Sequence, residues 1–403
     1  MLWKVKGAPR KAAGDSLHTG TLYGCERRMA LTEQVRQAIS ITVTFPRRAS
    51  LRRTFRGGKQ QAFGHKERIM EYTEVGVIIL TYNDWKNTLA CLACVHAQSG
   101  LPRRIVVCDN GSENEVADRI LEGWSALAEQ AGLPAPVEVY GSDSSPAPLV
   151  LLRREEPESI GGAMNAGMRF LLYDRECRSF WLLRNDARPE SFALAALLRH
   201  LEDDDLKLPI GMVGSTQLVK DSDVLECAAG GRWSRWTGDQ IPLDKGLERH
   251  GLSDRKDIAA KLDYVSDASC LITRAMAEDI GLFDERFSGF YEDVEYGLRA
   301  RKGGYALNWA PGALVRRMDC STEGLTPFLS VTDDPELDPR DDMNFIRARF
   351  YLLRRAHPFA LPFMLLLLPF SWRTFRSRKG RFFMVMRAAL DGAAGRMKER
   401  QTA

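Results

Sequence analysis

The sequence predicts an α/β protein built on a mostly parallel, doubly wound sheet. Three observations predict it. Between residues 75 and 187, apolar runs of strand length alternate with helix-length segments. Those runs are apolar residue after residue, as in strands buried on both faces, rather than alternating with polar ones. Polar clusters stand at the carboxyl ends of three of them, where sheets of this kind bind ligands.

The elements follow in order. Val75-Gly-Val-Ile-Ile-Leu80 is the first strand, and Thr81-Tyr82-Asn83-Asp84 is its polar turn. A helix runs from Trp85 to about Gln98, broken by Ser99-Gly-Leu-Pro102. Arg104–Cys108 is the second strand, with Asp109-Asn110-Gly111-Ser112 at its end; a helix follows near Glu115–Ala131. A strand lies within 134–140, a Ser/Pro-rich loop covers 141–148, and Leu149–Arg153 is another strand. Gly161-Gly-Ala-Met-Asn-Ala-Gly167 opens a helix reaching about Tyr173. Ser179–Leu183 is the next strand, ending in Arg184-Asn185-Asp186.

The second half is less regular. Met212–Val219 reads as a strand, residues 224–245 carry Trp233 and Trp236 among glycines, and 262–266 and 270–272 are strand pieces around a bend. A short helix ends between Glu278 and Phe283. Phe290-Tyr291-Glu292-Asp293 leads into a helix through Arg301, stopped by Gly303-Gly304. Tyr305–Trp309 is a strand followed by Pro311-Gly312.

Charge is segregated. Residues 1–70 hold 15 Lys/Arg against 4 Asp/Glu, residues 343–403 hold 13 against 2, and 71–342 hold 29 against 47. An acidic centre between basic ends argues against a nucleic-acid-binding body and leaves the ends to meet an anionic surface. Residues 1–70 lack an apolar period and read as a basic, disordered tail, with a basic membrane or RNA arm as the functional alternative; Met70, just before the first strand, marks an alternative start. Eight Cys in 403 residues is ordinary usage, and Cys91/Cys94 lie within a helical pattern with no second CxxC. No apolar run reaches spanning length and no secretory leader is visible, so the expected location is cytoplasmic. No GxGxxG or GxxxxGK[ST] occurs.

Candidate residues have two readings each. Glu292 and Asp293 open a helix, which the helix dipole alone favours; the functional reading is a general base for a substrate hydroxyl. Asp186 is either a turn residue before Pro189 or a ligand to Mg²⁺ or Mn²⁺. Asp109 is either an Asx-turn residue or an acceptor for a nucleotide base. Trp233 and Trp236 are either stacking platforms or local core under a loop.

Taken together these segments resemble a family 2 glycosyltransferase of GT-A fold. The resemblance is carried, in order, by Val77-Ile-Ile-Leu-Thr-Tyr-Asn83, Val106-Val-Cys-Asp-Asn-Gly-Ser112, Gly161–Gly167, Leu182-Leu-Arg-Asn-Asp-Ala187, Ser269–Arg274, Gly281–Phe287 and Tyr291-Glu-Asp-Val-Glu-Tyr-Gly-Leu-Arg299. It covers residues 75 to 325. It implies a nucleotide-diphosphate sugar held by Thr81, Tyr82, Asn83, Asp109, Asn165, Arg184 and Asn185. It implies Asp186 as ligand to a divalent ion, Mg²⁺ or Mn²⁺, and Asp293 as base, with Glu292 beside it. Trp233, Trp236 and Asp267 are assigned to the acceptor side. The implied activity is inverting transfer of a sugar, rhamnosyl- or galactofuranosyl-type, to a glycan or lipid-linked acceptor in cell-envelope polysaccharide synthesis.

Three positions depart from the pattern. Arg184 stands where the metal-binding motif has an acid or amide, Arg317 where many relatives place a ligating His, and Asp267 where Gly is usual. Guanidinium groups can offset diphosphate charge directly, so weakened metal dependence is expected. The rival readings are a catalytically degenerate nucleotide-sugar or glycan binder and a nucleotidyltransferase. The chain divides into a tail at 1–70, a catalytic domain at 71–330 and a helical extension at 331–403. Within the extension, the apolar stretch Ala356–Phe370 has arginines on both sides, which suits an interfacial segment on an anionic leaflet at the inner face of the cytoplasmic membrane. The alternative is a helical hairpin packed on the catalytic domain or on a second subunit.

Overall fold

The computed structural model describes residues 72–141, 145–201, 207–249, 257–318, 339–368 and 382–397. All of these fall in one unit, Phe45–Ala403. The expected tail at 1–70 and parts of the loops 141–148 and 221–260 lie outside the described residues.

The first half is built as its apolar runs predict. β1 (Tyr72–Thr81), α1 (Trp85–His96), β2 (Leu101–Asp109), α2 (Asn114–Ala131), β3 (Val137–Tyr140), β4 (Leu149–Arg153), α3 (Ile160–Leu172) and β5 (Ser179–Arg184) alternate along the chain. The strands lie in the order β3-β4-β2-β1-β5, all parallel. Val77, Ile78 and Ile79 are buried on both faces of the sheet. Register levels the strand ends: Thr81 lies opposite Asp109, Leu80 opposite Arg184, and Asp109 opposite Arg153. α3 packs close enough that a Cβ on Gly167 would come within 2.7 Å of both Ile78 and Cys108, so a glycine there sets the helix-to-sheet distance.

Beyond β5 the sheet turns mixed. β6 (Ala187–Pro189), α4 (Ala193–Arg199), β7 (Ile210–Val219), β8 (Leu225–Ala228), β9 (Gly230–Trp233), β10 (Gln240–Pro242), α5 (Ile258–Lys261), β11 (Tyr264–Val265), β12 (Ser269–Thr273), α6 (Arg274–Ile280), α7 (Glu292–Lys302) and β13 (Ala306–Arg317) follow. The large sheet continues β5-β12-β7-β13-β6, while β10-β9-β11 form a separate small sheet. β12 is antiparallel to both neighbours, so only the first half is fully parallel.

β13 departs from the expected strand. It does not stop at Trp309 but runs through Pro311-Gly312 to Arg317, with the register slipping between Ala310 and Leu314. Proline lacks the ladder N–H and is accommodated at such an irregularity. The extra length brings Arg317 opposite Ala187, beside Asp186.

The C-terminal part is helical: α8 (Pro339–Ala356), α9 (Ala360–Leu367) and α10 (Phe382–Ala393). Phe345, Phe350, Tyr351, Met364 and Ala389 share one apolar cluster with Trp233, Phe287, Tyr291 and Val294 of the catalytic part. The hairpin-like alternative is therefore the geometry of α8, whose inner face is core. Among the described residues no helix is long and apolar enough to cross a membrane.

Candidate active site

The ends of β1, β2 and β5 open into a cleft of about 470 Å³ lined by Thr81, Tyr82, Asp84, Asn110, Glu158, Arg184 and Asn185 among others. Its floor is a hydrogen-bonded lattice. Asn83 takes a left-handed backbone (φ 49°), which asparagine tolerates better than most residues. Its N–H donates to Ser112 Oγ at 2.8 Å, and its side-chain oxygen accepts from Glu113 N at 3.0 Å. The β1 and β2 turns are thereby tied together. Gly111 (φ 81°) sits against Pro157, whose nitrogen a Cβ would approach to 2.8 Å. Asp84 caps α1 through Asn87 N and also accepts from Asn185 Nδ2 at 3.3 Å, joining the turns after β1 and β5.

Asp109 is fully buried. Its Oδ1 accepts from Ser112 N at 3.1 Å and its Oδ2 from Arg153 Nε at 3.2 Å. Asn110 lines the cleft and exchanges hydrogen bonds with the backbone of Glu158, 3.0 Å each way.

Asp186 lies beyond the β5 end, 4 % exposed. Arg317 donates to its Oδ2 through Nε (2.8 Å) and Nη2 (2.7 Å). Its Oδ1 makes no hydrogen bond and stands 3.5 Å from Arg184 Nε. Arg317 also faces Glu226 at 3.7 Å. Burial alone would weaken the Arg317 charge, but Asp186, Glu226 and Asp267 more than offset that cost.

A second acidic group opens α7. Tyr291, buried and left-handed (φ 71°), turns the chain into the helix, and its hydroxyl donates to Gly238 O at 2.9 Å. Such a backbone persists in a tyrosine only where packing fixes it. Glu292 is buried and accepts from Gly289 N at 2.5 Å. Asp293 accepts from Val294 N at 2.8 Å and from Gln240 Nε2 at 3.4 Å. Burial, with the charge of Asp267, pushes the Glu292 carboxyl up to about 7. Burial, then Asp267, then Glu292 hold the Asp293 carboxyl well above the usual carboxylate range. A carboxylate so raised is a matched acceptor for a hydroxyl proton near neutral pH.

Residues 76–226 match the family described as glycosyl transferase family 2. This stretch is a glycosyltransferase domain of that family. No curated protein matches the sequence. Similar solved structures include GalNAc-T7 with UDP, GalNAc and Mn²⁺ (15% identity, 81% of this chain, 55% of that chain, TM-score 0.47). A mannosyltransferase from Pyrobaculum calidifontis with GDP-Man and Mn²⁺ is another (14% identity, 82% and 88%, TM-score 0.43). So is TarS of S. aureus (12% identity, 80% and 49%, TM-score 0.47). The chain spans about half the length of the first and third of these.

Within the glycosyltransferase domain the expected residues divide. Tyr82, Arg184, Asn185 and the rim of Thr81 face the cleft, whereas Asn83 and Asp109 bind the loops that frame it. Asn165 is buried and spent inside the chain: its amide nitrogen donates to Phe283 O and Glu285 Oε1, and its oxygen accepts from Phe283 N, all at 2.9 Å. It fastens α3 to the segment before α7 and does not present its amide to a donor. Trp233 is 8 % exposed and lies in the apolar cluster under α8, while Trp236 is 55 % exposed. The two tryptophans thus separate: the first is core, and only the second offers an open ring. Asp267 joins the acidic group electrostatically. Asp84 and Asn110 also line the cleft; both belong to the polar clusters at the strand ends, but neither is among the residues that the resemblance assigns to the donor.

Cys91 and Cys94 are unpaired in any disulfide, and burial raises both thiols. Among the described residues no group of three His, Cys, Asp or Glu could hold a metal ion. With Arg317 seated on Asp186, the residues at the expected metal position do not fit a divalent ion.

Proposed function

We propose that the chain transfers a sugar from a nucleotide-diphosphate donor to a hydroxyl of a glycan or lipid-linked acceptor, with inversion, in cell-envelope polysaccharide synthesis. The donor nucleotide lies in the cleft over β1, β2 and β5. Asp293 takes the proton of the acceptor hydroxyl as its oxygen bonds to the anomeric carbon. The bond from that carbon to the diphosphate breaks on the opposite face, and the nucleoside diphosphate leaves with the electron pair. The observation that carries the reading is Asp293 itself. It sits at the start of α7, with its carboxyl held above the usual range and Gln240 against it. The test is sugar transfer from UDP-, GDP- and dTDP-sugars by the wild type and by Asp293→Asn. Transfer by the wild type that vanishes in the variant supports the reading; equal turnover by both removes the base.

A peripheral seat on an anionic membrane supports the lipid-linked acceptor. Phe359, Phe363 and Leu366 recur four and three residues apart across α9, exposed, and Phe383 and Leu390 are exposed on α10. Exposed Arg354 and Arg387 flank these apolar side chains. Because α8 is core, deleting the extension would not test this cleanly. Flotation of a Phe359→Ser, Phe363→Ser, Leu366→Ser variant on anionic liposomes would. Loss of flotation supports the seat, and unchanged flotation removes it.

A further inference from the structure

Sheet register brings Arg317, on β13, to Asp186, just past β5. These side chains are 131 residues apart in sequence. They meet through two N–H groups on one oxygen, with both partners at least nine-tenths buried. Arg184 approaches the other oxygen at 3.5 Å, while the rest of its side chain, a third exposed, lines the cleft. Two cations thus converge on one carboxylate at the place where the nucleotide-sugar reading puts the donor diphosphate.

A divalent ion at this position needs open carboxylate oxygens. Here Oδ2 is filled by Arg317 and Oδ1 looks toward Arg184. The charge that an ion would supply is already present as two guanidinium groups. Arg317 is the fixed member: Glu226 at 3.7 Å and the field of Asp267 add to Asp186 in holding it. Arg184 is the member that reaches the cleft, where its planar fork matches the paired oxygens of a diphosphate.

We propose that an arginine pair replaces the divalent ion in this protein: Arg317 neutralises Asp186, and Arg184 binds the diphosphate of the donor, so that nucleotide binding needs no metal. This rests on the nucleotide-sugar reading of the cleft.

The test is calorimetric titration of the full chain with UDP, GDP and dTDP, in EDTA and in Mn²⁺, alongside Arg184→Gln and Arg317→His. The expected result is one nucleoside diphosphate bound with affinities that agree within about three-fold in the two buffers. Arg184→Gln should weaken that binding about ten-fold or more in both buffers. Arg317→His should bind more weakly in EDTA and regain affinity with Mn²⁺, because it opens Asp186 and supplies a ligand. A wild type whose affinity rises more than three-fold with Mn²⁺ overturns the proposal and leaves the donor site standing. No binding of any nucleoside diphosphate in either buffer overturns the donor reading itself. The wild-type comparison decides the matter even if the Arg317 variant fails to fold.

Discussion

Arg349, on α8, reaches into the loop after β9 and donates to Asp239 at 2.6 Å, with its Nε on Thr237 O at 2.7 Å. Where that loop enters β10, Gln240 donates to Asp293, and within the loop Gly238 O accepts from Tyr291. Helix α8 therefore braces the loop that holds Gly238 and Gln240 against Tyr291 and Asp293. Arg349→Met should raise the acceptor KM several-fold while leaving nucleoside diphosphate affinity unchanged. Thr237 keeps a hydrogen bond to Asp239, so the stability cost should sit at or below the low end for a broken buried pair, about 2–3 kcal/mol. Steady-state kinetics and thermal melting check both parts.

Asp293→Asn keeps the shape of the side chain and loses the carboxylate that the proposed function uses as its base. Turnover should fall by about 100-fold or more, with nucleoside diphosphate binding retained. A loss of binding in step with activity would show a folding defect instead.

The acidic group makes stability depend on pH. Glu292 is raised from 4.5 to about 7 by burial, assisted by Asp267. The folded state thus holds a proton that the unfolded chain has lost between those values. Its contribution is complete below the unfolded pKa and disappears as pH rises through about 7. The ceiling is of order 3 kcal/mol for this one group, and Asp293 acts in the same direction. Melting temperature should fall between pH 5 and 8, and less steeply in Glu292→Gln. Equal slopes would mean that Glu292 titrates normally. Turnover should show an acid limb at higher pH than an ordinary carboxylate gives, because Asp293 must lose its proton first.

The two tryptophans should behave oppositely. Trp236→Ala should raise the acceptor KM with little change in melting. Trp233→Ala should cost about 3–5 kcal/mol as a core truncation. Melting and kinetics on the same pair of variants distinguish them.

Legibility followed locality. The strand at Val75–Leu80 and the helix after Asp84 were readable because an unbroken apolar run and a capping residue act within one element. β6 and α4 were not, being too short to show a period. β13 was cut early because Pro311 argues against a strand, and only pairing with β7 shows that the chain continues. Asn165 is assigned to the donor, and Trp233 stays open between platform and core, for one reason: residue type suggests chemistry, but burial and partners are decided by segments far away. The contact of Arg317 with Asp186 is the extreme case. The two arginines were visible as departures from the family pattern, yet nothing local says that one of them lands on the carboxylate.

The apolar cluster that joins α8 to Phe287, Tyr291 and Val294 has a practical consequence for expressing this protein. The family match ends at residue 226, whereas Asp293 lies well past it and its supporting helix later still. A shortened version cut at the match would keep the cleft over β1, β2 and β5 but lose Asp293. One cut after β13 would keep Asp293 and expose the apolar side of α7 to water, inviting self-association. The shortest piece expected to keep both the cleft and the cover over α7 runs through Met397, so a cloning boundary belongs after α10.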